Sequence, residues 1–394
     1  MQHKQNTEQP KSAMAALPTS SSFNLSLHLH LHLHLLLLLL LATTTSDCHA
    51  EPDRRAALFA FGDSFLDPGN NNYINTTTLD QANFWPYGET YFKFPTGRFS
   101  DGRLVSDFIA EYAELPLIPP YLQPGVLHHW RYGVNFASAG AGALVETFQG
   151  SVIGLQTQLS YFKEAETQLR QELGRAKAGW TISRGVYMFS IGSNDYMSPF
   201  LTNSTILSWY SRSKYVGMVI GNLTAVIKEI YGIGGRKFGF INLPPLGCLP
   251  GMRIIKAEER GRCLEEASSL AKLHNRALSK LLVKLEHQLM GFRYSLYDFH
   301  SNLRQRMNHP LRYGFKAGKV ACCGTGRYRG VFSCGGKRIV KEFELCESPS
   351  EHVFWDSFHL TERAYEQLAH QMWSGDGIYS SPSPCSLKNL FEGL

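Results

Sequence analysis

The sequence predicts an α/β fold, a parallel sheet with helices on both faces. Short apolar runs alternate with longer amphipathic stretches along residues 51–394, as when strands buried on both sides are joined by crossover helices. No Pro/Ser-rich linker and no internal repeat interrupts that stretch, so one domain is expected. A balance of 43% hydrophobic and 18% charged residues is ordinary for a globular chain and excludes disordered and multi-span membrane classes.

The first fifty residues read as an address. From Phe23 the chain is apolar, Leu and His alternate through His34, and the run Leu35–Leu41 follows. Small residues come next, and Ala50 with Cys48 two before it makes an A-x-A-like cleavage site. A signal peptide over residues 1–50 is the reading. Phe23–Ala42 is also about long enough to span a bilayer, but it holds four histidines, so no membrane anchor is expected after cleavage. The segment ahead of it is long, and Met14 is an alternative start.

The strand candidates, in order, are Ala57–Phe61, Gly133–Phe136, Val186–Ile191, Lys237–Asn242 and Arg293–Tyr297. The helix-like stretches are Leu104–Tyr112, Leu155–Leu173, Tyr215–Tyr231 and Glu265–Met290, with a last one over Thr361–Trp373 that has Thr361 as N-cap. A loop-rich, Cys-bearing region from 308 to 350 decorates the domain.

Charge and cysteines bear on partners and compartment. The net charge of +6 is spread thinly, with no run of five Lys/Arg, so a nucleic-acid partner is not expected. Glycosylation sequons stand at Asn75, Asn203 and Asn222. After cleavage Cys248, Cys263, Cys322, Cys323, Cys334, Cys346 and Cys385 remain, with no C-x-x-C pair, which argues against a zinc ribbon. In an oxidising compartment disulfides are the default. Cys248–Cys263 is the easiest local bridge, and the four cysteines between 322 and 346 could form two more in an order the sequence leaves open.

In parallel sheets the ligand site lies at the carboxyl ends of the strands, and polar motifs fall there. The first strand ends in Gly62-Asp63-Ser64, where a serine hydroxyl can project into a cleft, or where the tripeptide simply makes a turn. There is no G-x-S-x-G nucleophile elbow. Among nine histidines after residue 50, His359 stands out because Asp356 lies three residues before it. A carboxylate at that spacing can fix the imidazole tautomer, or the pair can cap the last helix. The small residues of 133–142 let backbone N–H groups approach a ligand, and Asn194 offers a side-chain amide for a developing oxyanion. Tight helix–strand packing and an Asx-turn or helix cap account for these two features equally well.

Together the blocks resemble the GDSL family of SGNH hydrolases, and within it the secreted plant GDSL esterase/lipases linked to defence. They are Phe-Gly-Asp-Ser-Phe-Leu-Asp-Pro-Gly-Asn-Asn-Asn (61–72), Trp-Pro-Tyr-Gly (85–88), Pro-Thr-Gly-Arg-Phe-Ser-Asp-Gly-Arg (95–103), Gly-Val-Asn-Phe-Ala-Ser-Ala-Gly-Ala-Gly (133–142), Ile-Gly-Ser-Asn-Asp-Tyr (191–196) and Phe-Trp-Asp-Ser-Phe-His (354–359). The resemblance spans Phe59 to about Trp373. It implies a three-layer, flavodoxin-like α/β/α fold in a single hydrolase domain over 51–394. It also implies secretion to the apoplast or cell wall and a carboxylic ester substrate. Ser64 is then the nucleophile, His359 the base and Asp356 its orienter, with an oxyanion hole from the Ser64 and Gly140 N–H groups and the Asn194 side chain. The chemistry requires no metal or other cofactor. Pro68, where many members have a small residue, and Leu360, where a proline often follows the histidine, bear on loop shape and substrate.

Two other readings keep the fold. One passes the acyl group to an alcohol other than water; the other is a catalytically silent binding or signalling protein. Trp85, Tyr87, Tyr91, Phe92 and Phe94 are suited to lining an acyl groove, and equally to packing in the core.

Overall fold

Leu-Phe-Ala-Phe-Gly at Leu58–Gly62 forms β1, buried at every residue. It is an interior strand of a five-stranded parallel sheet in the order β2-β1-β3-β4-β5. The others are β2 (Gly133–Asn135), β3 (Val186–Ser190), β4 (Lys237–Ile241) and β5 (Arg293–Tyr297). This computed structural model describes residues 55–125, 130–255, 262–375 and 385–393, with positions 30, 32 and 34 before them. Of two units, Met1–Arg54 and Arg55–Leu394, the second carries every secondary-structure element of the fold. The signal-peptide reading, its cleavage site and the histidines at 128 and 129 fall outside the described residues, apart from those three positions.

Period-two alternation puts an aromatic stripe on each of β1, β3 and β4, and the register aligns the stripes. Phe59 pairs with Tyr187 and Phe61 with Phe189, while Tyr187 and Phe189 pair in turn with Phe238 and Phe240. Each of these pairs stacks, with ring centroids 5.0 to 5.4 Å apart. Phe162 meets Phe59, Phe61 and Tyr187 edge-on. It lies on the helix α2 (Leu155–Arg184), so this face of the sheet is covered. Such contacts contribute about 0.5–1.5 kcal/mol each beyond burial.

The helices α4 (Arg212–Ile233) and α5 (Glu265–Gln288) join α2 in one layer; α1 (Val105–Tyr112), α7 (Glu362–Ser374) and α8 (Leu387–Glu392) pack on one another in the other. The fold is thus a three-layer α/β/α arrangement around a flavodoxin-like strand order. α4 is long and apolar enough to cross a bilayer, but Val216, Val219, Leu223, Val226, Ile227 and Ile230 recur at helical spacing and are buried in the core.

The five strands and five helices expected from the sequence are present, most ends moving by one to three residues. The stretch expected over Leu155–Leu173 ends at a kink: Gly174 leaves helical geometry (φ 77°, ψ 158°), and a second helical stretch, unread in the sequence, continues α2 to Arg184. The helices α3 (Ser193–Leu201), with Pro199 inside it, and α6 (Phe299–Asn308) escape the sequence reading, as does α8. The 308–350 region holds β6 (Ala317–Ala321), β7 (Cys323–Gly324) and β8 (Glu344–Leu345). β6 pairs with β9 (His352–Phe354), and β7 with β8. Disulfides join Cys248 to Cys263, Cys322 to Cys346 and Cys323 to Cys334, which fixes the order that the sequence leaves open; Cys385 lies outside them.

Candidate active site

In this strand order the topological switch lies between β1 and β3, and the loop after β1 opens onto it. Gly62 turns the chain there. Its φ of 152° and the Ser190 carbonyl beside it leave no room for a side chain. Gln158 of α2 clamps the turn, accepting from Gly62 N–H and donating to its carbonyl, both at 2.8 Å. Ser64 follows, 8% exposed.

The loop is then tied to its neighbour. Asp67 accepts from the N–H groups of Gly69, Asn70 and Ala139. Asn70 donates to the carbonyls of Asn135 and Ala137, and Asn71 to that of Ala139. The side chains of 67–71 thus fasten the loop after β1 to the loop after β2, where Gly140 lies. Gly140 has φ 80°, and a Cβ there would meet Asp80 Oδ1 at 2.6 Å and Val152 at 2.8 Å. Asp195 of α3 accepts from Ala143 N–H and Leu144 N–H at 2.9 Å and from the Thr147 hydroxyl at 2.7 Å. That anchors the same loop to the helix carrying Asn194.

His359 arrives from the other end of the chain. β9 leads into a short loop in which Trp355 N–H donates to the His359 carbonyl and Asp356 Oδ1 accepts from the N–H groups of Phe358 and His359. The same carboxylate lies 2.8 and 3.0 Å from His359 Nδ1, and His359 Nε2 lies 2.7 Å from Ser64 Oγ. Neither residue caps the last helix: Thr361 does, its hydroxyl accepting from Ala364 N–H. Burial would raise the Asp356 carboxyl, but the imidazole and the hydrogen bonds from His359, Phe358 N–H and Tyr87 outweigh it and hold it at about 2.

Ser64, His359, Gly140 and Asn194 line one cavity of about 450 Å³. Among the described residues, neither Ser64 N–H nor Gly140 N–H is taken up by another protein group. Asn194 Nδ2 donates to the Ala141 carbonyl at 2.9 Å. Most of the wall is apolar, with Phe65, Met197, Leu201, Ile254, Ile255 and Phe358 among its residues. The Cys-bearing region, read from the sequence as decoration, supplies Gly330, Val331 and Phe332.

The aromatic stretch read as a groove lining is corrected. None of Trp85, Tyr87, Tyr91, Phe92 and Phe94 lies on the cavity. Tyr91 and Phe92 sit under the guanidinium groups of Arg103 and Arg98, while Trp85 and Phe94 face solvent. Tyr87 is buried and donates its hydroxyl to Asp356 Oδ2 at 2.7 Å. Pro68 and Leu360 fit locally through their carbonyls, which accept from Arg98 and from the Ser100 hydroxyl.

Asp63, beside the serine, is buried, and its Oδ2 has no hydrogen-bond partner. Burial, with the charges of Asp195 and Asp67, pushes its pKa up to about 7 against the weaker pull of the Phe65 N–H. A raised folded-state pKa means the proton is held more tightly in the folded protein. This stability is fully present below the unfolded value near 4 and is lost as pH climbs through about 7. Relative to Asp63→Asn, which does not titrate, the native protein should therefore lose on the order of 2–4 kcal/mol between pH 4.5 and pH 8. Denaturant unfolding of both proteins across that range checks it, and parallel stability curves would refute the protonated reading.

The family model described as GDSL-like lipase/acylhydrolase matches residues 58–372. The chain is 60% identical to GDSL esterase/lipase 5 of Arabidopsis thaliana over 338 residues, covering 85% of this chain and 87% of that one. It is 53% identical to GDSL esterase/lipase 2 of the same plant over 340 residues, 86% and 90% of the two chains. A GDSL lipase of Tanacetum cinerariifolium is 50% identical over 339 residues, 86% and 88%.

Proposed function

The chain belongs to the GDSL-like lipase/acylhydrolase family and is a carboxylic ester hydrolase; on that premise we propose that it works through an acyl-enzyme on Ser64. His359 Nε2 takes the Ser64 proton as Oγ attacks the ester carbonyl, then hands it to the departing alcohol. Asp356 keeps Nδ1 protonated and stabilises the imidazolium. The Ser64 and Gly140 N–H groups and the Asn194 amide receive the oxyanion, and water then releases the acid. The observation that carries this reading is the unbroken line Asp356–His359–Ser64 on the wall of a cavity, with spacings of 2.8 and 2.7 Å.

The apolar wall suits an acyl chain, so the reading extends to acyl esters longer than acetate. A fluorophosphonate probe should label the protein and spare Ser64→Ala. Across p-nitrophenyl esters of growing acyl length, kcat/KM should rise by up to about fourfold per methylene, the worth of burying one such group, until the cavity is filled. Missing label removes the acyl-enzyme, and a flat series removes the acyl-chain assignment.

We further propose that residues 1–50 are cleaved and that the protein is extracellular, in apoplast or cell wall. Three disulfides and exposed sequons at Asn75 and Asn203, with a half-buried one at Asn222, support this. The N-terminal residue of the exported chain, placed between about Asp47 and Glu51 by the looseness of cleavage-site reading, checks it.

A further inference from the structure

The two oxygens of Asp356 keep different company. Oδ1 is occupied by its own loop, through the N–H groups of Phe358 and His359 and through His359 Nδ1. Oδ2 lies 3.0 Å from His359 Nδ1 as well, and in addition receives the Tyr87 hydroxyl at 2.7 Å; that hydroxyl is itself 3.0 Å from Arg338 Nη2. Tyr87, Arg338 and Asp356 are all buried, none more than 1% exposed. The guanidinium lies among aromatic rings, 4.0 Å from the centre of Phe332 and 5.0 Å from that of Phe84.

Arg338 is far from Tyr87 in sequence and belongs to the region that two disulfides close. Cys323–Cys334 ends just before it, and Cys322–Cys346 encloses it. An apolar side chain would fill this site without the desolvation cost of a buried cation. Part of the charge is answered by Asp80, whose carboxyl the guanidinium pulls down. Hydrogen-bond direction gives it a second task, at Tyr87. Arginine has donors only, so the Tyr87 oxygen must accept from it, and the single phenolic proton is left for Asp356.

Resting on the triad reading, we propose that Tyr87 and Arg338 are positioning residues for the Asp356–His359 pair, an arm that holds Oδ2 while the imidazole gains and loses its proton. Arg338 orients the Tyr87 hydroxyl, and Tyr87 fixes the carboxylate. Removing Tyr87 leaves Asp356 more basic and a stronger attractor of a proton on His359. Removing Arg338 deletes a cation that opposes that proton. Tyr365 faces Asp356 together with Asp63 and Asp101, and these do not change between variants. Asp80 also feels the Arg338 cation, so its own titration moves in the Arg338 variants, and Tyr87→Phe is the variant whose acid limb reads the pair alone. Both losses thus make His359 easier to protonate, and the acid limb of the pH profile moves to higher pH.

Tyr87→Phe, Arg338→Gln and Arg338→Lys are measured for kcat, KM, pH profile and Tm, with Ser64→Ala as control. Tyr87→Phe should lower kcat roughly 10- to 100-fold at little changed KM, by analogy with the loss of the outer hydrogen-bond partners that orient metal-bound histidines, and should raise the acid limb. Arg338→Gln should do likewise, Arg338→Lys should recover much of the loss, and Tyr87→Phe/Arg338→Gln should fall little further than either alone, since the two act in series. If the Arg338 variants do not fold, Tyr87→Phe decides alone. A Tyr87→Phe protein with native kcat and acid limb overturns the proposal, even if its Tm falls. Turnover surviving in Ser64→Ala would instead overturn the triad reading beneath it.

Discussion

Replacing His359 by Ala should abolish nearly all ester turnover, a loss in kcat of roughly 10⁴- to 10⁶-fold, the range seen when a triad base is deleted. Ser64→Ala should lose as much. The double variant should lose no more, because a nucleophile without its base and a base without its nucleophile are equally idle. Asp356→Asn should fall less far, since it disturbs the tautomer and orientation of the imidazole without deleting it. The pH profile separates the two ionisable members. Asp356 is held at about 2, so it stays charged throughout the working range. It therefore does not supply a decline on the acid side, whereas a protonated His359 cannot accept the Ser64 proton and turns the reaction off. The rival account gives the pair a purely structural task, and part of that is real: Asp356 Oδ1 shapes the 355–359 loop through two backbone N–H groups. Those bonds do not involve the imidazole, so His359→Ala should keep the loop and most of the Tm. A folded His359→Ala protein with normal kcat would end the triad hypothesis.

The candidate site is legible in the sequence because its polar motifs sit at strand ends. A buried parallel strand reads as a short apolar run, and the residues just past its carboxyl end must face the cleft. Thus Asp63-Ser64, Gly140 and Asn194 follow three different strands and still share one cavity. Asp356 and His359 are readable through their three-residue spacing. The contact of His359 with Ser64, 295 residues away, is set by the packing of β9 and α7 and has no local signal.

One alternative that the structure removes and one misreading have the same origin. The aromatics of 85–94 suggest a cavity lining because they come soon after the nucleophile, but arginines in 98–103 claim two of them and Asp356 claims Tyr87. The 308–350 region has little secondary structure and reads as decoration. Disulfides give it the rigidity that hydrogen-bonded elements supply elsewhere, and it delivers Phe332 to the cavity and Arg338 to Tyr87. Proximity in sequence is a poor guide where cross-links set the geometry.

Asn194→Ala should lower kcat by about 100- to 1000-fold with KM little changed, the usual consequence of deleting one oxyanion donor. The residue lies in the first turn of α3, whose N-cap position is Gly192, so the capping alternative no longer applies to it. A different structural task takes its place, because Nδ2 ties α3 to the Ala141 carbonyl. A primary amide carries two N–H bonds; one is spent on Ala141, and the other is available to a developing oxyanion in the cavity that Asn194 lines. The two roles leave different traces. Loss of the tether loosens the 139–144 loop, which Asp195 still holds through Ala143, Leu144 and Thr147, so its expected cost is a lower Tm of a few degrees, as for about 1 kcal/mol in a domain of this size. Loss of the oxyanion donor acts only as charge builds on the ester oxygen, so it appears in kcat and in the rate of fluorophosphonate labelling, whose transition state also places charge there. Measured together on Asn194→Ala, a large fall in Tm with near-native kcat and labelling rate in the folded fraction would leave Asn194 as a tether alone and reduce the oxyanion hole to its two backbone donors.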